Sequence, residues 1–121
     1  MKVIIAGGRE ITNYETVCKA VLFANFDITE IVSGDARGVD RLGERLGKEF
    51  DIPVKKFPAD WDKYQKAAGF IRNEEMACYA DGLIAIWDGH SRGTKDMITR
   101  ANKKELKVYV HLISENEKYA N

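Results

Sequence analysis

The chain has no excess of either charge: among its 121 residues, 19 Lys and Arg are matched by 19 Asp and Glu. Nonspecific nucleic-acid binding needs a basic field, so nucleic acid is not an expected partner, and any affinity for an anion must be local. Cysteine is scarce. Cys18 and Cys78 are the only two, and neither lies in a C-x-x-C or Cys/His cluster. That spacing excludes a disulfide framework and a zinc site, no metal is expected, and both thiols read as small buried hydrophobes. No apolar run approaches membrane-spanning length and no signal-peptide pattern is present, so the expected compartment is the cytoplasm, with no membrane partner. Both G-x-x-x-x-G-K-[ST] and G-x-G-x-x-G are missing, which disfavours ATPase and dehydrogenase chemistry; no cofactor is expected. Repeats, low-complexity segments and linkers are absent as well, and the length suits one domain, placed at residues 1–113. The polar stretch 114–121 is expected to fray.

What is there alternates regularly. Residues 2–6, 29–33, 53–57, 82–87 and 107–112 are short apolar or β-branched runs bounded by turn residues, and they read as five strands. Between them come helical patterns. Tyr14, Val17, Cys18, Val21 and Leu22 recur at three- and four-residue spacing, and Val39, Leu42 and Leu46 do the same ahead of Phe50. Residues 67–80 form a third pattern and 94–104 a fourth, the latter with Met97, Ile98 and Ala101 facing inward. Gly43 and Gly47 each cost about 1 kcal/mol of helix propensity, which fits close approach to the sheet or to a partner. Strict alternation with strands buried on both faces predicts an α/β fold: a Rossmann-like three-layer α/β/α sandwich. Its five-stranded sheet is mainly parallel, in the order 3-2-1-4-5, with 107–112 at an edge. All strand-to-helix loops then leave one edge of the sheet, where ligands bind in such folds.

Three of those loops carry glycine with arginine: Gly7-Gly8-Arg9, then Gly34-Asp35-Ala36-Arg37-Gly38, then Ser91-Arg92-Gly93-Thr94. Glycine lets the backbone turn sharply and approach a ligand closely, and a following helix start presents free N–H groups and a positive dipole end. Three such turns on one edge predict a site for an anion, with phosphate the obvious guest. Arginine's rigid fork suits bidentate phosphate contacts. Ser33 adds a hydroxyl donor. Asp40 has two open roles: an acid favoured in a first helical turn, or an acceptor for a ribose hydroxyl. Asp35 is awkward beside a phosphate unless it points away.

Outside the turns, Arg72 lies close to an Ala-Ala-Gly helix start and is a candidate ligand contact, with Asn73 next to it and Met76 one turn on. Trp61 sits in the irregular stretch 58–65, a candidate lid, where it can stack on a base or cover the edge of the core. His90 can serve as an acid or base or remain a solvated loop residue, and His111 reads as an edge-strand residue.

These segments resemble the SLOG superfamily, the Rossmann-like group that contains DprA/Smf and Lonely Guy proteins, and within it the small YspA-like, YpsA-related branch. The matching residues are 3–9, 33–41, 58–61, 68–76 and 91–98. The resemblance implies a nucleotide or nucleotide-derived small molecule at this edge, often in a homodimer, with dimer the favoured state. It does not imply one activity. Lonely Guy enzymes remove the base from a nucleoside monophosphate using a helix arginine, similar to Arg72, and a glutamate in a G-G-x-G-T-x-x-E loop. Here Gly93-Thr94 resembles the loop, but the glutamate's position is Met97, which can neither stabilise an oxocarbenium-like centre nor relay a proton. Asp96 is rotated by about 100° on a helix. The candidate catalytic residues are therefore Arg72 and Asp96, and the expected function is nucleotide sensing or sequestration. N-glycosidic hydrolysis is the alternative and DprA-like single-strand DNA binding the third.

Overall fold

In a computed structural model describing residues 1–119, the apolar runs become five parallel strands. They are β1 (Lys2–Gly7), β2 (Glu30–Ser33), β3 (Val54–Lys56), β4 (Gly82–Trp87) and β5 (Lys107–Leu112), in the order β3-β2-β1-β4-β5. Central β1 pairs with β2 in the register Val3↔Ile31 and with β4 in the register Ile5↔Ile84. Its side chains alternate faces, as the pleat requires. Val3 and Ile5 join the core beneath α1 (Tyr14–Ala24) and α2 (Val39–Glu49); Ile4 and Ala6 join the core beneath α4 (Ala68–Tyr79) and α5 (Arg92–Lys103). Helices on both faces explain why β1 and β4 are apolar without alternation. The three-layer sandwich and its strand order are those read from the sequence.

Gly43 and Gly47 turn toward the sheet. A Cβ on Gly43 would lie 3.1 Å from Ile5, and one on Gly47 would lie 2.6 Å from Val54 Cγ2. Their small size lets α2 sit directly on β1 and β3, which settles the two roles considered for them.

Four expectations need correction. Leu22 is 74% exposed, because the buried face of α1 is Thr16, Val17 and Ala20, and each step along a helix turns about 100°. Cys78 is exposed and Cys18 half-buried, so neither is a fully buried hydrophobe; Cys78 is one step beyond the buried Ala77 on α4. The stretch 58–65 is not irregular throughout. Asp60 caps a short helix, α3 (Trp61–Tyr64), by accepting from Lys63 N at 3.0 Å, and a 3-10 turn, Gln65–Ala67, leads into α4. Finally, the segment after β5 is fastened rather than frayed. Ser114 and Glu117 form a reciprocal capping box around the 3-10 turn Glu115–Glu117, and Lys118 O accepts from Thr12 N at 2.7 Å and Asn13 N at 3.1 Å. Positions 120 and 121 of that stretch lie outside the described residues.

Candidate functional site

The chain leaves β1 toward β2 on one side and later returns to place β4 on the other. The crevice between these diverging connections is where open α/β sheets bind ligands. A cavity of about 520 Å³ lies there. Gly7, Gly8 and Arg9 contribute to it from the end of β1, and Asp40 from the first turn of α2. Trp61 lines it from α3, Arg72, Asn73 and Met76 from α4, and Ser91, Gly93, Thr94 and Met97 from the start of α5.

Two glycines bring the loops this close. Gly38 has φ +80°, and a Cβ there would lie 2.3 Å from Gly8 O, so only glycine lets the loop before α2 close on the turn after β1. A Cβ on Gly34 would come within 2.6 Å of Arg72 Nη1 and 2.7 Å of Asp40 Oδ2. Neither glycine lines the cavity; both make room for the groups that do.

The floor is polar and buried. Arg72 is 9% exposed, donates from Nη1 to Gly34 O and from Nε to Asn73 Oδ1 at 3.1 Å, and keeps Nη2 without a protein acceptor among the described residues. Burial lowers its pKa, an effect opposed by Asp40. Asp40 is 7% exposed and accepts from Ala36 N at 3.2 Å. Burial raises its carboxyl to about 6, against the pull of Arg72. A buried acid and a buried arginine therefore face the same space without a direct ion pair.

The rim is more open. Arg9 lies over the Trp61 ring at 5.5 Å, a cation–π geometry, and Trp61 is 48% exposed above Gly69. Lys66 also lines the cavity and has no ion pair among the described residues. On the far side Ser91 caps α5, with its Oγ accepting from Thr94 N at 3.4 Å and lying 3.1 Å from Thr94 Oγ1. The first-turn amides of Arg92 and Gly93 have no intrahelical acceptor.

Other sequence candidates are placed elsewhere. Ser33 Oγ donates to Glu44 Oε2 at 2.6 Å, behind the cavity wall. Arg37 is exposed and paired with Glu10 at 3.1 Å, and Arg92 is exposed; neither lines the cavity. The three loop arginines thus diverge, and the arginine that accompanies Arg9 in the cavity is Arg72. Asp96 faces the α4–α5 seam, where it accepts from Asn73 Nδ2 at 3.0 Å and Arg100 Nε at 2.9 Å. Met97, only 1% exposed, takes the place on the cavity wall. Asp35 is drawn to Arg41 at 2.5 Å, which removes its conflict with an anion. His90 lines the cavity from an exposed position.

Sequence reading missed Lys66, Phe70, Asp88 and Lys118 as lining residues. Two signals were legible: the Asp88-Gly89-His90 turn signature, and Ser114-Glu115-Asn116-Glu117, a capping-box pattern that announces order after β5.

Fold and cavity together define a Rossmann-like α/β domain with a crevice at its strand-order reversal. A family model described as the YspA, cpYpsA-related SLOG family matches residues 1–64, and the chain belongs to that family. It is 33% identical over 84 residues to the Gene 61 protein of Mycobacterium phage D29, a match spanning 64% of this chain and 67% of that protein. Among solved structures it is similar to DNA processing protein A (DprA) from Streptococcus pneumoniae, with a TM-score of 0.73 and 19% identity. That match covers 94% of this chain and 51% of DprA, so the chain spans about half of the solved relative's length. Among the described residues no helix is long and apolar enough to cross a membrane.

Proposed function

We propose that the domain, residues 1–113 with the fastened segment after it, binds a nucleotide or nucleotide-derived small molecule in this cavity and senses or sequesters it. The observation that carries the reading is the convergence of Arg9, Arg72 and the α5 first turn on one cavity of about 520 Å³, a size that suits a small organic ligand. The phosphate sits against Gly7, Gly8, Arg9 and the Ser91–Thr94 turn. Asp40 and Arg72 take hydroxyls and oxygens of the sugar, and Trp61 offers its exposed face to the base. Binding rather than glycosidic hydrolysis is the reading supported by the position equivalent to the Lonely Guy glutamate, where Met97 faces the cavity while the neighbouring Asp96 is held in the helix seam by Asn73 and Arg100. The exposed free thiol of Cys78 suits a reducing compartment, the cytoplasm. Family likeness adds a homodimer, which light scattering tests.

The deciding experiment is thermal unfolding of the purified protein with each nucleoside monophosphate, alongside mass spectrometry of whatever copurifies. A ligand at 100 times its Kd stabilises the fold by about 2.7 kcal/mol. Absence of any shift and of any copurifying nucleotide overturns the reading; release of free base overturns its binding-only form.

A further inference from the structure

The segment after β5 builds part of the cavity wall, and its lysine is occupied in an unusual way. Lys118 is a cavity-lining cation with a side chain 12% exposed. Its Nζ lies 3.1 Å from Asp88 Oδ2 and 3.0 Å from Glu115 Oε1. Asp88 also lines the cavity, and its other oxygen, Oδ1, accepts from His90 N at 2.8 Å and Ser91 N at 2.9 Å. Those two amides shape the turn that starts α5, so Asp88 is required there as an acceptor. Its negative charge, however, stands beside the place where an anion would dock. A carboxylate next to a bound phosphate repels it unless a cation cancels the charge.

The lysine cannot drift away. Its own carbonyl accepts from Thr12 N and Asn13 N, and the preceding carbonyl, Glu117 O, accepts from Thr16 Oγ1 at 2.8 Å. The capping box of Ser114 and Glu117 sets the turn from which it projects. At the head of the same segment, Ile113 N donates to Trp87 O at 2.9 Å, while Trp87 Nε1 donates to Ser91 O at 3.1 Å. The segment therefore grips the β4–α5 turn at both of its ends.

Resting on the nucleotide reading of the cavity, we infer that Lys118 is a positioning residue for its anion-binding side: its ion pair holds the Asp88 carboxylate in place as the acceptor that orders the α5 turn, and it cancels the charge that would repel the ligand's phosphate. Lys118 acts through Asp88, and the ligand class it favours is a phosphorylated nucleoside over the same nucleoside without phosphate.

Calorimetry with adenosine 5′-monophosphate and adenosine as probes, on the full chain, tests this. Lys118→Met lowers affinity for the monophosphate about tenfold, the scale of one uncompensated carboxylate facing the phosphate, and leaves adenosine within about twofold. Lys118→Arg retains the wild-type ratio of the two affinities. Adding Asp88→Asn to Lys118→Met restores monophosphate binding, because the amide oxygen still accepts the two backbone bonds and the repulsive charge is gone. Equal losses for both probes, or a double variant as weak as Lys118→Met, overturn the inference. Hydrogen exchange without ligand gives a separate reading: His90 and Ser91 amides exchange faster in Lys118→Met and return to wild-type rates in Lys118→Arg. Unchanged exchange overturns the inference even if neither probe binds. Failure of the wild type to bind any nucleoside monophosphate, with exchange altered as expected, removes the nucleotide reading and leaves the ordering role of Lys118 standing.

Discussion

Asp40→Asn should make the protein more stable at neutral pH, and the gain should vanish in acid. The carboxyl is buried and its pKa is raised to about 6 from 3.8, with burial the leading cause and Arg72 opposing it. In the pH window between those values the folded chain holds a proton that the unfolded chain has released, so stability falls as pH rises through it and levels off above about 6. A shift of this size corresponds to about 3 kcal/mol, a net figure that already contains the attraction of Arg72. An asparagine keeps the acceptor for Ala36 N and the volume of the side chain, without the charge. Urea unfolding of both proteins from pH 4 to pH 7.5 reads the difference directly. The two curves should converge near pH 4 and separate by up to about 3 kcal/mol above the raised pKa, with Asp40→Asn the more stable. A difference that does not change with pH, or a variant less stable at pH 7.5, would refute the reasoning. So would a carboxyl resonance of Asp40 that titrates at the ordinary aspartate value. The same variant should bind nucleoside monophosphates more weakly, because a charge retained at a cost to stability marks a site kept for binding.

Gly38→Ala should cost about 3 kcal/mol in urea unfolding, since it combines a left-handed φ with a Cβ 2.3 Å from Gly8 O. Trp61→Ala should change stability by less than about 1 kcal/mol, the ring being 48% exposed, yet weaken nucleotide binding about tenfold in calorimetry. Asp96→Asn should leave nucleotide affinity within about twofold and cost about 1 kcal/mol through its bonds to Asn73 and Arg100; a large loss of ligand affinity would return Asp96 to the site.

The sheet was legible because its signals are local and redundant. Each strand of the centre is an apolar run closed by a turn residue, and each helix shows its face within three or four residues. What escaped depended on direction within the turns. Arg9, Arg37 and Arg92 look alike on paper, each beside a glycine, but Glu10 captures Arg37 and the register of α5 aims Arg92 outward. Nothing in a single sequence tells which of three similar cations turns inward. Arg72 stood out because an arginine near a small-residue helix start has little apolar surface to cover. Its partner across the cavity, Asp40, was ambiguous because a first-turn acid is favoured by the helix dipole whether or not it meets a ligand. Lys118 lies 30 residues from Asp88, and a pairing across that distance leaves no periodic trace.

The two inward arginines divide the work of binding differently. Arg72 is fixed at both Nη1 and Nε, so its remaining Nη2 is held in place before a ligand arrives, and little order is lost on binding. Arg9 is exposed and rests on the Trp61 face, a contact that a stacked base would have to share or displace. A ligand that brings phosphate to Arg9 and a planar ring to Trp61 exchanges one cation–π contact for two interactions, whereas inorganic phosphate takes Arg9 away from the indole and supplies no ring in return. Affinity should therefore rise more from phosphate to nucleoside monophosphate than the added apolar area accounts for, and in Trp61→Ala that excess should disappear. Equal increments in wild type and variant would show that Arg9 and Trp61 act independently.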